Sequence, residues 1–137
     1  MRKWFSRLRS APARPLTGTP IRRRQKTYSA GSGYVYEYFY EGYRVSSRSG
    51  GLGAEHVFQV SPDRTNWFPV TVFLDDDAVG AWEREHERDL DGTERYAVVK
   101  LALFQAFDDR PSPPAMREEV RVRPVDVARF LEKLDLA

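Results

Sequence analysis

A run of tyrosines at strict two-residue spacing constrains the fold of this chain more than any other part of its sequence. The segment YVYEYFYEGYR, residues 34–44, places four tyrosines at alternate positions: Tyr34, Tyr36, Tyr38 and Tyr40. Only a β-strand puts side chains at that spacing on one face. The opposite face carries Glu37 and Glu41, so we predict that it is the wetter side and that the tyrosines are packed or bind a ligand.

Two further segments with strand-like alternation follow, over residues 54–61 and 67–74. The apolar period then changes to 3.6 residues, which predicts a short helix after the acidic triplet 75–77, a nearly all-apolar helix over 96–107 and an amphipathic last helix from Pro124. Residues 118–123 indicate a short extended segment. The sequence therefore predicts an α+β fold: a three- or four-stranded, mainly antiparallel meander sheet with about three helices packed on one face.

Gly42 interrupts the tyrosine strand, and a glycine at such a position predicts a bulge or a bend. A bulge adds one residue to the strand, so Tyr43 and Val45 would then rejoin the tyrosine face. The glycine-rich segment that follows, residues 46–53, is typical of a mobile hairpin loop.

The charges are divided unevenly along the chain. Residues 1–26 contain nine cationic side chains and no acid: Arg2, Lys3, Arg7, Arg9, Arg14, Arg22, Arg23, Arg24 and Lys26. Residues 27–137 hold the remaining 13 basic side chains against all 20 acidic ones, a balance of −7. Because prolines also interrupt the basic segment, we predict that residues 1–32 are a disordered basic tail and that residues 33–137 form a single α+β domain.

No catalytic or metal-binding motif is evident. The chain has no cysteine, only two histidines (His56 and His86) and no G-x-S-x-G serine motif. Glu83 and His86 have a spacing that metal sites use, but one such pair is not a site, and charged residues around it suggest a solvated helix face. Glycine loops lack the lysine that phosphate-binding loops carry. We therefore predict no catalytic residue, metal or cofactor and favour a non-enzymatic protein.

The basic tail carries the strongest functional signal. Its nine cations can neutralise phosphates, so we predict a small binding protein whose tail contacts nucleic acid or another polyanion. A solvated extension or a targeting segment would have the same composition. No segment reaches the roughly 18 apolar residues of a membrane span, and the lack of cysteine fits a reducing compartment, so we expect a cytoplasmic protein.

Two questions stay open at the level of sequence. The tyrosines can form an aromatic platform that stacks unpaired bases, or they can be core residues under the apolar helix, and the charge of −7 favours the core. The alternative function is a structural or assembly protein whose tail and apolar helix surface contact protein partners or a second copy of the chain. Coverage of that helix by the last helix, through Phe130 and Leu134, would remove the need for a second copy.

Overall fold

The computed structural model describes residues 14–135 and places the tyrosine segment in the second strand of a five-stranded sheet. The strands are β1 (Lys26–Ser29), β2 (Val35–Arg48), β3 (Gly51–Ser61), β4 (Phe68–Asp75) and β5 (Val120–Val122). Strands β1 to β4 form an antiparallel meander, and β5 pairs parallel to β4 at the far edge. The α+β class is confirmed, whereas the sheet has five strands and is mixed because a three-residue strand joins it late in the chain.

Three helices follow the meander: α1 (Asp76–His86), α2 (Gly92–Asp109) and α3 (Pro124–Asp135). Helix α2 begins at a full capping box, in which the Asp91 carboxylate accepts from the Glu94 backbone N–H and the Glu94 side chain accepts in return. A short 3-10 helix, Pro113–Arg117, leads into β5. A parallel pair needs a long crossover, and α1, α2 and the 3-10 helix supply it. None of the helices within residues 14–135 is long and apolar enough to cross a lipid bilayer.

The tyrosine face of β2 packs under α2. Tyr36 is fully buried and its ring stacks on Phe107 at a centroid distance of 4.4 Å. Tyr38 is 5% exposed and meets Phe104 edge-on at 5.7 Å. Helix α3 covers another side of α2 through Phe130, which belongs to the same core cluster, with Leu134 packed against it. The apolar helix is thus covered within one chain, as an intramolecular contact.

The sheet begins earlier in the sequence than predicted. Residues 26–29, assigned to the disordered tail, form β1 and pair with β2 in the register Lys26↔Tyr38 to Ser29↔Val35. Further contacts hold this strand in place: the Tyr28 hydroxyl donates to Asp108 at 2.9 Å, and the Gly31 backbone N–H donates to the same carboxylate at 2.7 Å. The boundary at residues 32 and 33 therefore falls inside the folded unit. Residues 1–13 of the predicted tail lie outside the described residues.

Residues 14–25 form a segment that we call the strap, because it lies along the outer edge of β2 ahead of β1. Thr17 makes a β-bridge with Tyr43 through two backbone hydrogen bonds of 2.8 and 2.9 Å. The Thr19 hydroxyl donates to the Glu41 carbonyl at 2.6 Å. The strap is therefore fixed to β2 by backbone pairing, which its basic, proline-rich composition gave no reason to expect.

The predicted bulge lies at Gly42. Tyr40 pairs with Phe58 and Tyr43 pairs with His56, so one additional residue, Glu41, separates consecutive members of the helix-covered face. Gly42 has a φ of +117°, and a Cβ atom there would lie 2.5 Å from the Thr17 carbonyl oxygen. Tyr43 consequently rejoins the tyrosine face, and only glycine lets the strap approach this closely.

We expect the substitution Gly42→Ala to destabilise the fold by about 3 kcal/mol, since it combines backbone strain with a clash against the strap. Gly33→Ala is the matched control, because Gly33 also has a positive φ, +97°, but has no neighbouring atom within 4 Å of a built Cβ. It should cost only about 1 to 2 kcal/mol. Urea unfolding of both variants measures the difference in the free energy of unfolding. Equal losses of stability would show that the close contact between the strap and Gly42 does not contribute to stability.

The face of β2 that carries Glu37 and Glu41 is more buried than the alternation of glutamates with tyrosines suggested. Glu37 is only 5% exposed. Its carboxylate accepts from the Thr27 hydroxyl at 2.6 Å and from Arg64 Nε at 3.0 Å, and these partners hold its pKa below the usual value against the effect of burial. Arginine guanidiniums cover the aromatic rings of this face, with Arg23 lying 4.1 Å from the centroid of Phe39. The prediction that this face is the wetter side was therefore wrong for Glu37.

One buried hydroxyl on the core side has no partner. The Tyr36 hydroxyl lies fully buried without a hydrogen bond among the described residues. An unsatisfied buried donor costs free energy, so Tyr36→Phe should stabilise the fold by about 1 kcal/mol. Tyr28→Phe is the control, because it removes a hydroxyl that does donate to Asp108 and should destabilise by a similar amount. Thermal and urea unfolding compare the two variants; a loss of stability in Tyr36→Phe would contradict this account.

Candidate functional site

A pocket of about 490 Å³ opens where the strap, the bulged part of β2 and the first turns of α2 meet. We call it the tyrosine pocket. The strap and β1 supply its cationic wall, β2 and β3 supply its floor, and α2 supplies the opposite wall. The lining consists of Gly18, Pro20, Arg24, Lys26, Tyr38, Tyr40, Tyr43, His56, Gly92, Thr93, Tyr96 and Lys100. Its volume falls within the range of roughly 300 to 1,000 Å³ that small-molecule sites occupy.

The floor of the tyrosine pocket is aromatic. Tyr40 packs edge-on against Tyr96 of α2 at 4.8 Å and tilts against Phe58 below it. Its hydroxyl lies 2.8 Å from Nδ1 of His56. Tyr43, brought back to this face by the bulge, contacts the same histidine ring at a centroid distance of 5.4 Å. Four tyrosines and one histidine thus surround the space.

Burial keeps His56 uncharged. The side chain is 6% exposed, and its pKa falls to about 4 because the protonated ring would lose its hydration. A neutral imidazole has one donor and one acceptor nitrogen. Because Nδ1 is engaged with the Tyr40 hydroxyl, Nε2 is the nitrogen with no hydrogen-bond partner among the described residues.

The charged groups that line the pocket are all cations: Arg24, Lys26 and Lys100. None of the three forms an ion pair within residues 14–135, whereas arginines elsewhere in the fold, such as Arg48 and Arg123, do so. Burial, and after it the neighbouring ammonium of Lys26, hold the pKa of Lys100 below its usual value. Two like charges held close together without a counter-charge favour the entry of an anion.

A second polar group faces the pocket without a partner. Tyr38 lines the pocket and is 95% removed from solvent, yet its hydroxyl makes no hydrogen bond among the described residues. Burial raises its pKa to about 12, so it stays a protonated donor. The pocket lining therefore offers the Tyr38 hydroxyl and His56 Nε2 to a ligand.

The nine cations predicted to bind a polyanion have different positions. Arg2, Lys3, Arg7 and Arg9 lie outside the described residues. Arg24 and Lys26 line the tyrosine pocket, Arg23 covers Phe39 on the opposite sheet face, and Arg14 and Arg22 are exposed. The structure thus separates the members of the dense cluster 22–26 and brings only two of them to the pocket.

The predicted tyrosine platform is not an open surface. Tyr36 and Tyr38 lie under α2, and Tyr34 is 39% exposed at the start of the strand. Tyr40 is half-buried in the pocket floor. Base stacking along all four tyrosines is excluded by this burial, while Tyr38 and Tyr40 keep one edge on the pocket.

Sequence reasoning missed Lys100, Tyr96 and His56 as site residues. Lys100 and Tyr96 lie four residues apart, so they share one face of α2, and Lys100 is the one charged residue in the nearly all-apolar run 96–107. That interruption was a usable signal for a functional face. The contribution of His56 depends on the cross-strand register with Tyr43, which the sequence did not specify.

Glu83 and His86, whose spacing metal sites use, each contact protein groups. The Glu83 carboxylate accepts from the Leu90 backbone N–H at 2.8 Å and forms an ion pair with Arg95 at 3.5 Å. His86 stacks on Trp82 at 4.2 Å. No group of three or more potential metal ligands occurs within residues 14–135.

The chain matches no family model, no curated protein and no solved structure.

We expect the neutral state of His56 to make stability depend on pH. The folded-state pKa of about 4 lies below the ordinary histidine value of 6.5, so protons bind the unfolded chain preferentially. The stability that the neutral His56 ring contributes is fully present above pH 6.5 and is lost as the pH falls toward 4. His56→Gln should therefore lose less stability than the wild-type protein between about pH 7 and pH 4.5 in urea unfolding.

The exposed His86 provides the control for this experiment. His86→Gln should keep the wild-type dependence on pH, because the carboxylates and His56 are unchanged. If the stability of His56→Gln depends on pH as steeply as that of the wild-type protein, the His56 ring has the same pKa in the folded and unfolded states, which contradicts this prediction.

Proposed function

We propose that this chain is a non-enzymatic binding protein that holds a phosphate-bearing polyanion, with an anionic group of the ligand seated in the tyrosine pocket. The observation that carries this proposal is the convergence of Arg24, Lys26 and Lys100 on a pocket that no carboxylate of the described residues 14–135 lines. Cations from the strap, the edge strand and α2 point to one anionic ligand that contacts all three elements.

The distribution of charge supports a local site over a diffuse basic surface. Residues 27–137 have a balance of −7, which repels a polyanion at long range. A phosphate that reaches the pocket meets three cations whose charge no nearby ion pair neutralises. Charge-assisted hydrogen bonds of this kind are about twice as strong as neutral ones, and they give orientation as well as affinity.

The aromatic floor supports binding of a ligand that is only partly charged. A pocket built for inorganic ions alone would have polar groups on every side, whereas here tyrosine rings form the inner surface. Pockets that are apolar inside with a few placed polar groups are typical of sites for organic ligands. The anionic group would lie at the rim, and the rest of the ligand would lie on the rings.

The direct test compares single-charge variants in the full-length chain. Lys100→Gln and Arg24→Gln should each weaken binding of a fluorescently labelled single-stranded oligonucleotide by about tenfold in an anisotropy titration. Each should also lower the slope of log affinity against log salt by about one, since one phosphate contact is lost.

Arg22→Gln is the matched control, because it removes the same charge from the same strap at an exposed position that does not line the pocket. It should change affinity less than threefold, as expected for a distant screened charge. If Arg22→Gln and Arg24→Gln weaken binding equally, the pocket is not the binding site, and nonspecific attraction to the whole basic segment accounts for the affinity. Binding that survives Lys100→Gln and Arg24→Gln together but is lost on neutralising Arg2, Lys3, Arg7 and Arg9 would locate the site outside the pocket.

A further inference from the structure

We infer that the tyrosine pocket accepts a single nucleotide unit, with its phosphate at the cationic rim and its base inserted among the tyrosines toward His56. This inference rests on the proposed function and specifies which anionic ligand the pocket takes. The nucleotide unit can be a free nucleoside monophosphate or the end of a single strand, since both present the same chemical groups.

The pocket lining has the hydrogen-bonding groups that a base requires. The Tyr38 hydroxyl can donate or accept a hydrogen bond, and it has no partner among residues 14–135. His56 offers Nε2, which is a donor or an acceptor according to the tautomer that Tyr40 selects. Polar groups in protein interiors are normally paired, so two lining groups without a protein partner in the described part of the chain are available to the polar edge of a ligand. Every base has such an edge, whereas a sugar phosphate or polyphosphate has no planar ring to carry it there.

The pocket walls suit a planar ring. Gly18 lies next to the Tyr43 ring, since a Cβ built at Gly18 would lie 3.1 Å from it, and Tyr43 is 39% exposed. Tyr96 faces it from α2, with Lys100 Nζ 5.8 Å from the Tyr96 centroid. Aromatic side chains stack bases irrespective of sequence. Lys100 beside Tyr96 places a cation next to the same space, within reach of a phosphate esterified to the ribose of a bound nucleotide.

The size of the pocket limits the ligand to one unit. The pocket between strap and helix is partly open to solvent, and its volume of about 490 Å³ is that of a small-molecule site. The strap lies along the outer edge of β2 and is fixed there by the Thr17 bridge. A longer strand would therefore insert one terminal nucleotide and leave the rest outside.

The test is isothermal titration of the full-length protein with four probes: inorganic phosphate, ribose 5-phosphate, AMP and UMP. We expect AMP and UMP to bind at least about tenfold more tightly than ribose 5-phosphate, because only they bring a stacking base. An oligonucleotide with a 5′-phosphate and the same oligonucleotide ending in a hairpin distinguish a strand end from a free nucleotide. Binding of the single-stranded form alone would assign the strand end as the source, and binding of mononucleotides alone would assign the free nucleotide.

Variants of the inner groups make the result specific. Tyr38→Phe removes only the unpaired hydroxyl, and Tyr43→Ala removes an exposed ring, so each should reduce the advantage of AMP over ribose 5-phosphate at least about threefold. Tyr34→Ala is the control, because it removes a tyrosine of equal exposure, 39%, that does not line the pocket. Thermal unfolding of every variant shows that the fold is retained.

The failure of this inference differs from the failure of the proposed function. Ribose 5-phosphate or polyphosphate that binds as tightly as AMP, with affinity still lost in Lys100→Gln, would overturn the nucleotide while keeping an anion site. Equal AMP affinity in wild-type protein and Tyr43→Ala would overturn the base position. If neither phosphates nor oligonucleotides respond to Lys100→Gln, both conclusions are wrong.

Discussion

The single-residue bulge in β2 is the constraint on which the rest of the site depends. One extra residue at Glu41 returns Tyr43 to the face of Tyr40, opposite His56. The same irregularity gives Gly42 a positive φ and leaves no side chain where Thr17 approaches. Without the bulge, Tyr43 would project to the other face, and the strap would have neither its bridge nor its close approach to β2. The aromatic floor and the cationic wall of the pocket thus have a common origin in backbone geometry.

The cations of the pocket are positioned by backbone pairing and not by carboxylates. Lys26 is held opposite Tyr38 by the β1–β2 ladder, and Arg24 follows from the strap that leads into that strand. Lys100 is fixed by its place on α2, two helical turns after the Asp91 cap. Cations positioned by ion pairs would have their charge neutralised. Here secondary structure does the positioning, which leaves the charges free to attract a ligand.

The strands and helices with strong periodicity could be predicted from the sequence, and elements fixed by long-range pairing could not. Two-residue alternation and the 3.6-residue period located most of β2, β3 and β4 and the three helices, and the bulge at Gly42 was foreseen from one glycine. The mobile loop predicted over residues 46–53 was wrong, because β2 runs to Arg48 and β3 begins at Gly51. Strand β1 was missed because an exposed edge strand of four residues has no apolar pattern. Of the pocket, the sequence supplied Arg24, Lys26, Tyr38 and Tyr40 as separate candidates for separate reasons. That they share one space with His56 and Lys100 depends on cross-strand register and helix docking.

The electrostatics of the pocket also explain why its interior and rim should respond differently to ligands. Burial keeps His56 neutral and Tyr38 protonated, so these two lining groups offer neutral hydrogen bonds. Elsewhere in the lining, burial and after it the neighbouring ammonium of Lys26 hold the pKa of Lys100 below its usual value. An anionic group bound beside these two cations would offset their mutual repulsion. A ligand with a charged end and a neutral, planar end satisfies both environments at once.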